Sequence, residues 1–220
     1  MCGSIAKANL LGSSLTPIRY AFRAPYLYGR RRPGIFFDRD GVINERILGG
    51  YVTHWTGFHF IDGMVPVLRR LSRLHLPIIV VSNQSGVGKG LLSQRSLRQI
   101  TSRFVDLLAR HGARIDAVYY CPHTDEQGCT CRKPKPGLLL RAAGDYRIDL
   151  GRSIMIGDEP RDMEAAAAAG CRGILLDHGT RDLPFNRDRA TKASAPEWVV
   201  AGQVADLPAQ VGAMLGRFVL

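Results

Sequence analysis

Five times along this chain a short run of β-branched or aromatic residues breaks off, and in four cases the stretch behind it has its apolar positions at helical spacing. The runs are IFF (35–37), IIVVS (78–82), AVYY (117–120), SIMIG (153–157) and GILLD (173–177); the helical stretches are GMVPVLRRLSRL, SQRSLRQITSRFVDLLARHG, PGLLLRAAGDYR and RDMEAAAAAG. Strand followed by helix, repeated, builds a parallel sheet covered on both faces. The expected fold is therefore α/β, a Rossmann-like parallel sheet. Gly112 and Gly170 stand where helix C-terminal caps belong. A chain of 220 residues has room for one sizeable domain, and no internal repeat interrupts it.

In such a sheet the loops at the carboxyl ends of the strands form the ligand crevice. The first, in IFFDRDGVIN, carries Asp38 and Asp40. Residues two apart on a strand face the same way, so the two carboxylates converge unless the chain turns between them, and a hard divalent cation would relieve their repulsion. The bland alternative is a solvated turn. The second loop runs Ser82, Asn83, Gln84, Ser85, Gly86, whose backbone N–H groups and hydroxyls suit an anion, or form an ordinary strand-to-helix turn. In the third, Cys121, His123, Cys129 and Cys131 make a closed tetrahedral set for a structural Zn²⁺, with free thiols as the alternative. Arg132 and Lys133 follow at once, suited to phosphate or forming a basic surface patch. The fourth, IGDEPRD, holds Asp158 and Asp162; helix capping competes with chemistry there, more for Asp162 than for Asp158.

Charge is unevenly spread. The chain carries thirty Lys and Arg against nineteen acids, but six of the basic residues precede the first acid, Asp38, leaving an excess of five for the rest. Residues 1–33 are expected to be a flexible basic tail, a solvated leader, transit peptide or nucleic-acid arm, with the catalytic domain spanning 34–220. No apolar run reaches the ~20 residues of a membrane-spanning helix. Three of five cysteines sit with a histidine inside eleven residues, which points to metal rather than disulfides and to a reducing compartment.

Taken together, DRDGVIN, VVSNQSG, RKPKPG and IGDEPRD, in that order over about residues 34–177, resemble the four motifs of the haloacid dehalogenase superfamily of phosphatases. The resemblance implies that Asp38 is the nucleophile and Asp40 the general acid and base. It implies Mg²⁺ held by Asp38, the Asp40 carbonyl and Asp158, with Ser82, Asn83 and Lys133 on the phosphoryl oxygens and Gln84, Ser85 and Arg132 completing the substrate-binding set. The Cys-x-His and Cys-x-Cys-Arg-Lys-Pro loop is similar to that of the zinc-containing branch of heptose bisphosphate and histidinol phosphatases, and NQSGVGKG, FHFIDGMV and YYCPHT look more like the former. The loop from Thr124 to Gly128 is short, as in the latter; Glu159 replaces a frequent Lys, and NERILGGYV is two residues longer. With no long insertion, a separate cap domain is not expected, and the stretch from Asn44 to Phe60 has to close the site together with the zinc loop. The implied protein is a cytoplasmic, monomeric Mg²⁺-dependent phosphatase of a small phosphorylated sugar, a sugar bisphosphate, with Zn²⁺ in one stapled loop and neither nucleic-acid nor membrane partners. A nucleic-acid 3′-phosphatase, suggested by SNQSGVGKG and the basic tail, is the rival class.

Overall fold

The computed structural model describes residues 16–25, 29–177 and 198–216. A seven-stranded sheet runs through it. Its strands are β1 (Ile18–Ala21), β2 (Ile35–Phe37), β3 (Ile78–Asn83), β4 (Ala117–Cys121), β5 (Ile154–Gly157), β6 (Arg172–Leu176) and β7 (Trp198–Ala201). The order is β1-β4-β3-β2-β5-β6-β7, parallel throughout except for β1, which runs antiparallel to β4 with Ile18 opposite Tyr120. The helices are α1 (Met64–Ser72), α2 (Ser85–Gly88), α3 (Gln94–Arg110), α4 (Gly137–Tyr146), α5 (Pro160–Ala168) and α6 (Leu207–Met214). No helix among the described residues is long and apolar enough to cross a membrane.

Period-two alternation sends each strand's side chains into two separate cores. Ile35, Phe37, Ile78, Val80, Val118, Tyr120, Ile154 and Ile156 join α1, α3 and α6 on one face; Phe36, Ile79, Val81, Ala117, Tyr119 and Met155 join α4 and α5 on the other. All are fully or almost fully buried, which is why the strands read as unbroken apolar runs. α3 starts at Ser93, whose hydroxyl accepts from the Ser96 N–H at 3.0 Å, and ends where Gly112 takes φ +73°. Gly170 does the same for α5 at φ +71°.

The expected parallel sheet is present, with one antiparallel edge strand. One expectation is corrected: residues 18–21 lie in what was expected to be a flexible tail yet form that strand. Ile18 and Tyr20 alternate inward with Arg19 outward, a strand pattern only four residues long and hidden in an Arg-rich, acid-free surround. β7 and α6 were not foreseen. Residues 1–15 lie outside the described residues.

Candidate active site

β2 sits at the centre of the sheet with Phe37 level with Val80 of β3 and Ile156 of β5, so three strands deliver their terminal loops to one spot. Beside β3, β4 ends level with it, Asn83 opposite Cys121. One cleft is lined by Asp38, Asp40, Ser82, Asn83, Ser85, Arg132 and Lys133. All these belong to the predicted set. Arg46 and Tyr51 also line it, from the stretch between Asn44 and Phe60 expected to close the site; the further lining by Glu159 and Arg161 was not foreseen.

Asp38 is buried, and its Oδ1 accepts from the Arg39 N–H at 2.6 Å and lies 3.1 Å from Lys133 Nζ. Lys133 Nζ also meets Asp162 Oδ1 at 2.5 Å and donates to the Val81 carbonyl at 3.0 Å. Burial works against the ammonium charge, but Asp162 and Asp38 overcome it and hold the Lys133 pKa above its ordinary value. Asn83 fixes this lysine from behind: its side-chain carbonyl accepts from the Lys133 N–H and its amide donates to the Lys133 carbonyl, each at 3.0 Å.

The chain does turn after Asp38. The Arg39 carbonyl accepts from Ile43 at 2.8 Å, and Gly41 adopts φ +89°, where a Cβ would also strike the Asp158 carboxylate. Asp40 is thereby folded onto the fully buried Arg39, which donates through Nε at 3.1 Å and NH2 at 2.8 Å. Arg39 lies over the Tyr120 ring, 5.6 Å from its centroid. Burial raises the Asp40 pKa, but the Arg39 charge and hydrogen bonds, with those from Asn44 and Gln84, bring it below the usual carboxylate value. Gln84 is corrected here: predicted to bind substrate, it is buried and absent from the cleft wall, and its amide donates to Asp40 Oδ2 at 2.6 Å. Its sequence position beside Ser82 and Asn83 gave no sign that it turns inward.

Carboxylate oxygens of Asp38, Asp158 and Asp162, all three residues buried, lie within 4.8 Å of one another. Asp162 also caps a helix: its Oδ2 accepts from the Glu159 N–H at 3.1 Å in a capping box at the start of α5. Burial pushes Asp38 up to about 6, with Lys133 working against it and the Asp162 and Asp40 charges for it; burial and the Asp38 charge push Asp158 up to about 7. A carboxylate cluster that retains protons so far above its ordinary range fits a divalent oxygen-preferring cation such as Mg²⁺. The Asp40 carboxylate is outside this set, which leaves its backbone carbonyl as the share expected of it.

The sulfurs of Cys121, Cys129 and Cys131 are 3.3–3.6 Å apart, and His123 Nδ1 is 3.2 Å from Cys131 and 3.4 Å from Cys121. Zn–S bonds of ~2.3 Å in a tetrahedron give edges of ~3.8 Å, so the four atoms are gathered at nearly the right size for Zn²⁺. Cys171 is buried elsewhere, and Cys2 is outside the described residues.

A mostly parallel sheet with an aspartate-bearing central loop, a buried lysine and paired acidic loops defines a haloacid dehalogenase-like hydrolase. A family model described as HAD-hydrolase-like matches residues 130–207. The D-glycero-β-D-manno-heptose-1,7-bisphosphate 7-phosphatase of Salmonella typhi is 36% identical over 186 residues, 81% of this chain and 95% of that protein. The enzyme of Escherichia coli K12 is 37% identical over 183 residues, 80% of this chain and 92% of its own. The chain belongs to this heptose bisphosphate phosphatase family. Among solved structures, the D,D-heptose 1,7-bisphosphate phosphatase of B. bronchiseptica, complexed with magnesium and phosphate, matches with a TM-score of 0.70 and 31% identity, covering 81% of this chain and 97% of that one. A putative phosphatase of Mesorhizobium loti matches with a TM-score of 0.71 and 25% identity, covering 91% of this chain and 92% of that one.

Proposed function

We propose that this phosphatase removes the 7-phosphate of D-glycero-β-D-manno-heptose 1,7-bisphosphate through a phosphorylated Asp38, in the cytoplasm, on the way to lipopolysaccharide or another surface glycan. Asp38 Oδ1 is tied to Lys133 and the Arg39 N–H, so Oδ2 is the oxygen offered to phosphorus. Its attack forms the aspartyl-phosphate, an acyl phosphate, as the bond from phosphorus to the sugar oxygen breaks, and Asp40 gives that oxygen a proton. Asp40 then takes a proton from the water that cleaves the acyl phosphate, releasing phosphate and restoring Asp38. Arg39 keeps Asp40 ionised at rest, ready as base; the charge of an entering phosphoryl group favours the protonated form needed for the acid step. Lys133, Ser82 and the backbone N–H groups beyond it hold the phosphoryl oxygens. Mg²⁺, which Asp38, Asp158 and Asp162 are placed to hold together with the Asp40 carbonyl, would neutralise charge on the transferring group.

The observation that carries the choice of substrate is a second cationic centre. Arg132 lines the same cleft as Lys133, but its guanidinium stays apart from the Asp38 cluster. One cation can then hold the reacting phosphoryl and the other a distant phosphate. Phosphate release with Mg²⁺ from heptose 1,7-bisphosphate, histidinol phosphate and a 3′-phosphorylated oligonucleotide tests this. The heptose bisphosphate is expected to give the highest kcat/KM. The short Thr124 to Gly128 loop favours histidinol phosphate as the second reading, and a preference for that compound would overturn the first.

A further inference from the structure

We infer that Asp125 is a specificity-determining residue whose carboxylate occupies Arg132 in the resting protein and is displaced from it by the second phosphate of the substrate. The inference rests on the sugar bisphosphatase reading above. Every nitrogen of the Arg132 guanidinium is already engaged: Nε pairs with Asp125 Oδ1, NH2 donates to Asp125 Oδ2 at 3.2 Å, and NH1 donates to the His123 carbonyl at 3.5 Å. A phosphate that takes the fork formed by Nε and NH2 bidentately has to displace Asp125 from it. The His123 carbonyl belongs to a buried residue of the four-ligand set. Asp125, by contrast, sits on the short loop with its side chain 80% exposed, while that of Arg132 is only 13% exposed.

The surroundings of Asp125 favour an anion in general: it pairs with Arg132, and Arg161 lines the same cleft as that residue. Exposed ion pairs are weak, whereas a phosphate offers a guanidinium short, bidentate, charge-assisted bonds. The other acid on the rim is less free to leave: Glu159 pairs with Arg46 and Arg161 but also closes the first turn of α5.

Asp125→Asn keeps the shape of the side chain and removes its charge. In the Mg²⁺-loaded full chain, KM for heptose 1,7-bisphosphate is expected to fall by up to about fivefold, which is ~1 kcal/mol at about 1.4 kcal/mol per tenfold. The change should fall on KM rather than kcat and should spare heptose 7-phosphate, which lacks the second phosphate. Arg132→Ala should raise the bisphosphate KM, and adding Asp125→Asn to it should change nothing more. An unchanged or raised bisphosphate KM in Asp125→Asn, or an equal shift on the monophosphate, overturns the inference. Failure of the substrate reading is visible separately, as a wild type with no preference for the heptose bisphosphate. Inhibition of p-nitrophenyl phosphate hydrolysis by fructose 1,6-bisphosphate, relative to fructose 6-phosphate, then reads the same competition: selective strengthening in Asp125→Asn upholds it, and no change overturns it.

Discussion

Asp38 and Asp40 are two residues apart but live in opposite electrostatic surroundings, and that difference separates their roles. Asp38 is packed among Asp158 and Asp162 with Lys133 as its near cation, while Asp40 is clamped by Arg39 and Gln84. Asp38→Asn is expected to abolish turnover with the fold retained, measured by phosphate release and circular dichroism; Asp40→Asn should cost ~10²–10⁴-fold in kcat through lost proton transfer. Near-normal activity in either variant would exclude the aspartyl-phosphate route. A pH signature follows from the same cluster. Asp158, held at about 7, retains its proton in the folded chain far above the ~3.9 of an unfolded aspartate. The folded state therefore binds more protons, and stability is lost as pH rises from about 4 through 7. Without Mg²⁺, Asp158→Asn should thus be more stable than wild type at pH 8 and gain little at pH 4, as read by thermal melts. A variant advantage independent of pH would show that Asp158 is not raised.

At the level of elements, the parts the sequence announced were those whose physics is local. β2 to β6 stand out because strands buried on both faces need unbroken apolar runs, and α3 because Ser93 and Gly112 mark its ends. The gathering of Cys121, His123, Cys129 and Cys131 was legible because thiol and imidazole spacing brings those side chains together. What stayed hidden depended on distant pairing. β1 is a strand only because β4 lies beside it; Arg39 is a clamp only because Asp40 folds back; Gln84 turns inward because the Asp40 carboxylate waits there. Removing residues 1–23 strips β4 of its antiparallel neighbour and exposes what Ile18 and Tyr20 cover, so the truncated chain should lose about 3 kcal/mol in urea unfolding, the equivalent of two partly buried apolar side chains. An unchanged midpoint would return β1 to the status of a tail. Cys131→Ser should lower bound zinc and, because Arg132 and Lys133 follow directly, reduce activity as well; full activity in a zinc-free variant would uncouple the two.

Across the whole molecule, the segments after β2 and β3 carry no separate domain, and the cleft is closed instead by the stretch between β2 and α1 and by the zinc loop. Arg46 is the tie across it. From the loop after β2 it reaches Asp158 Oδ2 at 3.4 Å and pairs with Glu159, over a hundred residues further on. It is therefore both a wall of the cleft and part of the charge balance of the carboxylate cluster, where it lowers the Asp158 pKa that burial and Asp38 raise. Those two roles pull in opposite directions when the side chain is removed. Arg46→Ala takes a cation from the path of an anionic substrate, so KM should rise by about tenfold, the loss of one charge-assisted contact. The same change leaves the buried carboxylates with less counter-charge, so the Mg²⁺ concentration giving half-maximal activity should fall. Titrating Mg²⁺ at saturating substrate, and substrate at saturating Mg²⁺, separates the two effects. Should both constants rise together, Arg46 holds the loop in place rather than balancing Asp158, and the cleft depends on that tie for its shape.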